Sequence, residues 1–271
     1  MSERDEYPAG VPCWVETLQP DAQAARDFYG AIFGWQFAGP CADAGEYVVA
    51  RVRGRDVAGV GSTPDPGATS VPTAWLTQVR VASVEAAAER AVEAGGSVLA
   101  GPIDARPAGR LVVLADPAGA AIGVWEAADR EGAQVVNEPR AWAMSMLHTP
   151  DPAGAVAFYG AVFGWETEIF EAGDGMQVTL WRLPGYVGGE PQQPVPRDVV
   201  GAMGLAGDGV PPHWSVDFWV DDAIATAARA GELGGDVVAG PFDAPPFRRA
   251  VIADPQGAAF SVSQHLAAPA G

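Results

Sequence analysis

The run Pro20-Asp-Ala-Gln-Ala-Ala-Arg-Asp-Phe-Tyr-Gly-Ala-Ile-Phe-Gly-Trp35 returns as Pro150-Asp-Pro-Ala-Gly-Ala-Val-Ala-Phe-Tyr-Gly-Ala-Val-Phe-Gly-Trp165, at an offset of 130. Two later blocks repeat in the same order. Ala94-Gly-Gly-Ser-Val-Leu-Ala-Gly-Pro102 matches Leu233-Gly-Gly-Asp-Val-Val-Ala-Gly-Pro241, and Ala115-Asp-Pro-Ala-Gly-Ala-Ala121 matches Ala253-Asp-Pro-Gln-Gly-Ala-Ala259. Self-similarity of this kind marks a duplicated structural unit. The 271 residues therefore read as two similar domains, 10–128 and 140–267, joined by a linker at 129–139. The later offsets are larger, which places insertions between Trp165 and His213. Pro184-Gly-Tyr-Val-Gly-Gly and Pro191-Gln-Gln-Pro in that region read as an extended loop.

Each half reads as a strand, a helix and more strands, and then the same order again. In the first half Cys13–Leu18 is a strand. Asp21 is a helix N-cap and Gly34 a helix stop, because glycine tolerates positive φ. Strands follow near Tyr47–Arg53 and Asp56–Gly61. The next unit has a strand at Leu76–Val81, a helix at Ser83–Ala94 and strands at Ser97–Leu99, Arg110–Ala115 and Ala121–Glu126. The second half repeats this with Ala143–His148, Asp151–Val162, Ser215–Val220, Asp222–Leu233, Ala250–Ala253 and Phe260–His265. The fold class is α+β, in tandem.

The composition narrows the function. A net charge of −18 and the absence of a basic stripe argue against nucleic acid as a partner. The same charge gives a mild bias toward neutral or cationic small ligands. The two cysteines, Cys13 and Cys41, have no metal-site or disulfide-framework spacing and read as idle thiols. The polar N-terminus and the lack of a long apolar run predict a cytoplasmic protein with no membrane partner. The P-loop pattern, the dinucleotide glycine fingerprint and the Gly-x-Ser-x-Gly elbow are all absent.

A Pro-Asp helix start, a helix ending in Phe-Tyr-x-x-x-Phe-Gly-Trp, a Gly-Gly stop and an Asp-Pro-x-Gly turn resemble the vicinal oxygen chelate superfamily. That superfamily comprises glyoxalases, bleomycin-resistance proteins and extradiol dioxygenases. The resemblance spans about residues 12–127 and 142–265, and is nearest to two-domain glyoxalase-like proteins of actinobacteria. Some similar proteins accompany aromatic polyketide pathways. The resemblance implies paired βαβββ modules whose curved sheets enclose a cavity. In metal-dependent members, side chains on the first and last strands hold a divalent ion. Counting from the helix motif, those positions here are Trp14 and Met144, Gly123 and Ser261, with Leu76 and Ser215 on the equivalent strand. None is a good ligand for a divalent ion, so no metal is expected.

Strand alternation then assigns faces. The expected cavity set is Trp14, Glu16, Leu18, Leu76, Gln78, Arg80, Gly123 and Trp125 in the first half. In the second it is Met144, Met146, His148, Ser215, Asp217, Trp219, Ser261, Ser263 and His265. Val15, Thr17, Val79, Val81, Val216, Phe218 and Val220 face away and read as helix-packing residues. Trp35 and Trp75 have repeat partners, Trp165 and Trp214, and read as architecture. Trp14, Trp125, Trp142, Trp181 and Trp219 have none, as divergence toward a ligand would leave. Indoles and methionines suit a flat apolar ligand, with Glu16, Gln78 and Arg80 orienting its polar edges.

Two functional classes follow. The first is metal-free binding of a hydrophobic, aromatic small molecule for sequestration, resistance or biosynthesis, with no cofactor and with a biosynthetic enzyme as a candidate partner. Its ligand residues are Trp14, Glu16, Gln78, Arg80, Trp125, Met144, Met146 and Trp219, and the first half is expected to be the better site. The alternative is a lyase, isomerase or oxygenase built on His148, Asp217 and His265, with a divalent metal or a His/Asp acid–base pair. A purely structural role is a third option. Either a monomer or a homodimer is compatible with the sequence.

Overall fold

The computed structural model describes residues 3–38, 47–63, 73–171, 177–188 and 197–266. The first half runs β1 (Pro12–Gln19), α1 (Ala22–Phe33), β2 (Gln36–Ala38), β3 (Val48–Val52), β4 (Arg55–Ser62), β5 (Trp75–Arg80), α2 (Val84–Glu93), β6 (Ser97–Asp104), β7 (Gly109–Ala115) and β8 (Ala121–Ala127). The second half repeats it as β9 (Trp142–Thr149), α3 (Pro152–Phe163), β10 (Glu166–Glu171), β11 (Gln177–Arg182), β12 (Val199–Leu205), β13 (His213–Trp219), α4 (Ala223–Glu232), β14 (Asp236–Ala244), β15 (Phe247–Ala253) and β16 (Ala259–His265). The region between Trp165 and His213 carries β10, β11 and β12, and residues 184–188, expected as loop, form no strand between β11 and β12. Pro191 to Pro194, like Cys41, lies outside the described residues.

The helix signals act as read. The Asp21 carboxylate accepts from Ala24 N and Asp151 from Gly154 N, satisfying first-turn amides. Gly34 and Gly164 end their helices at φ 66° and 74°. Glu126 and Gln264, one step past the cavity-facing positions, accept from Val84 N and Ala223 N and so support the starts of α2 and α4.

Each half forms one eight-stranded mixed sheet, in the order β2-β3-β4-β1-β5-β8-β7-β6 and β10-β11-β12-β9-β13-β16-β15-β14. In each, two βαβββ modules join through an antiparallel central pair, β1 with β5 and β9 with β13.

The halves pack through the faces that point away from the cavities. Val15, Thr17, Val79, Val216 and Phe218 are all buried. Thr77 Oγ1 meets Ser145 Oγ at 2.7 Å across this seam, and Trp75 packs edge-on to Phe218. The paired tryptophans belong to this architecture. Trp75 Nε1 donates to the Tyr29 hydroxyl at 3.0 Å and Trp214 Nε1 to Tyr159 at 2.8 Å, while Trp35 and Trp165 stack on those tyrosines. Trp35 and Trp165 also donate across the seam, to Arg140 O and Gly10 O. Trp181, which has no repeat partner, is also buried in this aromatic packing.

Candidate functional site

The two halves differ in what lines their hollows, and the aromatic-lined cavity lies in the second half. In the second half a cavity of about 420 Å³ is lined from β10 to β15, so the sheet curls around it. Its walls include Met144, Met146, Trp142, Phe170, Trp219 and Phe247. Trp219 and Phe247 have ring centroids 6.0 Å apart, at a tilt of 43°. Tyr7, Val11 and Pro12 close one side, so the N-terminal segment completes the cavity of the other half.

The polar groups are few and specific. Asp217 is buried, and its Oδ1 accepts from Ser263 Oγ at 2.8 Å and from an Arg249 amine at 3.3 Å. Burial raises its pKa above the usual carboxylate value, against the opposing pull of Arg249 and the Ser263 hydroxyl. Arg4 and Arg197 also line the cavity. The lining therefore carries three guanidiniums and one carboxylate, although the chain as a whole is strongly acidic. The cavity lining is therefore more basic than the chain as a whole.

The first half is filled by its own chain. The linker expected at 129–139 runs across the face where a ligand was expected. Ala133 N donates to Cys13 O at 2.8 Å, and Gln134 N to Asp56 O at 2.7 Å. Arg130 places its guanidinium 5.5 Å from the Trp14 ring centroid, and its carbonyl accepts from Trp125 Nε1 at 2.8 Å. Trp14 Nε1 donates to the Tyr47 hydroxyl, which donates onward to Glu16 at 2.7 Å. Trp14, Glu16, Gln78 and Trp125 are all buried. Arg80 pairs with Glu131 of the linker.

The expectation that Trp14, Glu16, Gln78, Arg80 and Trp125 form the better ligand site is thus corrected. Arg130 of the same chain places its cation on Trp14. A second hollow of about 570 Å³ lies over this linker. It is lined by charged residues such as Asp56, Asp104 and Glu131, with Tyr7 its one aromatic ring.

The trio His148, Asp217 and His265 does not converge. His148 pairs with His213, four residues before Asp217 on β13. His265 pairs with Phe247, four residues beyond Ser261, which is itself the partner of Asp217. At about 3.3 Å per residue, each histidine is on the order of 13 Å along the strands from Asp217, in opposite directions. Shared facing does not imply proximity along a strand. His148 instead bonds to Ser215 at 2.9 Å and stacks on His213 at 4.7 Å. His213 is the first residue of β13.

Register also relocates the positions that the family resemblance assigns to a metal. The rows across the central strands are Trp14–Gln78–Gly123 and Met144–Asp217–Ser261, not rows through Leu76 and Ser215. Asp217 is the one carboxylate in the second row, and Arg249 already places a cation beside it. Among the described residues, no three His, Cys, Asp or Glu side chains are grouped to hold a metal ion. The residues present do not fit a divalent ion at this position.

Of the residues expected at a site, Met144, Met146, Asp217 and Trp219 line this cavity. Phe247 and Arg249 on β15, and Tyr7 and Arg197 at the wall, line it too and were not expected from the sequence. Arg249 was recoverable from sequence in part, because strand alternation puts it on the same face as Phe247. The chain's basic residues are all arginine, so neither half offers a lysine amine for imine chemistry.

Comparison with known proteins agrees with this architecture. A family model of a glyoxalase-like domain matches twice, at residues 14–125 and 144–263. CFP32 of Mycobacterium tuberculosis, which carries a provisional glyoxylase name, is 38% identical over 266 residues, covering 97% of each chain. The anthracycline biosynthesis protein DnrV of Streptomyces peucetius is 37% identical over 273 residues, covering 94% of each. Among solved structures, the Mn(II)-bound glyoxalase from Novosphingobium aromaticivorans superposes with a TM-score of 0.62 at 18% identity, over 96% of this chain and 88% of that one. The 2,3-dioxygenase LapB from Pseudomonas sp. KL28 gives a TM-score of 0.61 at 13% identity, over 97% of this chain and 95% of that one. The chain belongs to the glyoxalase-like family and carries its domain twice.

Proposed function

We propose that this protein binds an aromatic small molecule of the secondary-metabolite type in the cavity of its second half, without a metal ion. The observation that carries this reading is the aromatic and thioether lining around one buried carboxylate. Trp142, Trp219, Phe247, Met144 and Met146 present flat or adaptable apolar surface, while Asp217 and Arg249 can fix orientation. The cavity volume of about 420 Å³ falls in the range usual for small-molecule sites. The relatives named for anthracycline biosynthesis support the same ligand class. The test is a titration with hydroxyanthraquinones, following tryptophan fluorescence. Saturable quenching that is lost in Trp219→Ala, with circular dichroism unchanged, supports the reading. A folded wild-type protein with no saturable response across the panel overturns it.

A second reading is an acid–base enzyme using Asp217 alone, favoured by the burial of that carboxylate within the cavity. Asp217 would take a proton from a bound carbon or oxygen acid and return it at another atom, as an isomerase does. Solvent-deuterium incorporation into a bound ketone, abolished by Asp217→Asn, distinguishes this reading from binding alone.

A further inference from the structure

Arg248 and Arg249 are chain neighbours on β15 and point to opposite faces. Arg248 is held by two hydrogen bonds to Asp243 at the exposed surface. Arg249 faces the cavity, where one amine reaches Asp217 Oδ1 at 3.3 Å. Its remaining donors make no other hydrogen bond among the described residues. Arg197 lines the same cavity and donates through Nε to the neutral carbonyl of Gly188 at 3.1 Å, with no ion pair among the described residues. Elsewhere, arginines such as Arg51 and Arg110 have acidic partners. In a chain of net charge −18, cationic groups left without full neutralisation in one concavity create a local positive field, which low-dielectric walls concentrate. The planar guanidinium is also the side chain best matched to a carboxylate.

We propose that the second-half cavity selects an aromatic ligand bearing a carboxylate, held by Arg249 from within and by Arg197 at the wall. This rests on the reading above that the cavity binds an aromatic molecule. The ring system lies against Trp219, Phe247 and the methionines, and the acidic group takes the donors that Asp217 leaves unused. Asp217 limits how far Arg249 can swing, so the guanidinium is oriented before the ligand arrives. Ser263 fixes Asp217 in turn.

The test uses a matched pair, anthraquinone-2-carboxylic acid and its methyl ester, by calorimetry at neutral pH and low ionic strength. The acid is expected to bind at least tenfold tighter than the ester, with the preference shrinking as salt is added. Arg249→Gln should weaken the acid at least tenfold and the ester less than threefold. Because Arg249→Gln leaves Asp217 without its cation, Asp217→Asn/Arg249→Gln and the exposed Arg197→Gln provide variants expected to fold. Arg197→Gln should reduce the acid preference by severalfold. Equal binding of acid and ester overturns the charge assignment and leaves the aromatic-site reading standing. Failure of both probes to bind overturns that reading and this one with it.

Discussion

The Tyr29 hydroxyl donates to Asp254 Oδ2 at 2.8 Å, joining the helix motif of the first half to the Asp-Pro turn of the second. The converse bond, Tyr159 to Asp116 Oδ2, is 3.1 Å. Each aspartate uses Oδ1 to accept amides of its own turn, Ala118, Gly119 and Ala120 for Asp116, and Gln256 and Ala258 for Asp254. Oδ2 is left for the other half. The two most visible sequence motifs are therefore each other's partners across the seam.

These two bonds are not equal. Asp254 Oδ2 also accepts from Gln19 Nε2, whereas Tyr159 is the one hydrogen-bond donor to Asp116 Oδ2 among the described residues. Removing one partner of a buried group costs about 1–3 kcal/mol. Tyr159→Phe should fall at the upper end of that range and Tyr29→Phe at the lower end. Chemical denaturation of both variants checks the order.

Trp14→Ala should impair folding and leave ligand affinity nearly intact. The indole is buried, hydrogen-bonded to Tyr47 and covered by Arg130, so truncation removes core contacts worth about 3–5 kcal/mol. Met144→Ala lies on the cavity wall and should weaken binding severalfold with a smaller loss of stability. Paired melting and calorimetry would sink the assignment of the site to the second half if the order reversed.

Glu16 gives a pH signature. Burial raises its pKa above the usual 4.5, although hydrogen bonds from Tyr47 and Gln78 oppose the shift. A carboxyl raised in the folded state contributes its stability fully below the unfolded value, and that contribution is lost as pH rises through the folded value. Glu16→Gln should therefore narrow the stability difference between pH 4.5 and neutrality. Urea midpoints across that interval measure it, and an unchanged slope would contradict a buried ionising Glu16.

His148 should behave in the opposite sense. Burial, with His213 and Arg249 nearby, lowers its pKa from 6.5 to about 4. Its contribution is present above 6.5 and is lost as pH falls toward about 4. Imidazole nitrogen shifts should report a neutral ring at pH 5.5. A midpoint near 6.5 would mean that the ring is solvated and that its stacking on His213 does not persist.

How far the sequence reached depended on how local each feature was. The Asp21 cap and the Gly34 stop depend on a few neighbouring residues and were legible in the sequence, and their repeat counterparts Asp151 and Gly164 act alike. The packing side of Val15, Val79 and Phe218 follows from strand alternation. Register failed by one step of the face, since Gln78 and Asp217, not Leu76 and Ser215, align with Trp14 and Met144. The β-bulges at Pro12/Trp14 and Asp217/Phe218 lie in the strand pairs where counting from motifs went astray.

The sequence by itself determined the duplication, the α+β modules, the helix boundaries and the apolar character of Met144, Met146 and Trp219, because these arise from repeats and short-range periodicity. The tertiary structure alone decided which half carries the aromatic-lined cavity. Arg130 and its neighbours fill the first-half face, while Tyr7, Val11 and Pro12 wall the second-half cavity without filling it. Both outcomes depend on the path of segments that carry no periodic signal of their own. A cavity is open or closed by whatever chain crosses it, and that chain comes from far away in the sequence.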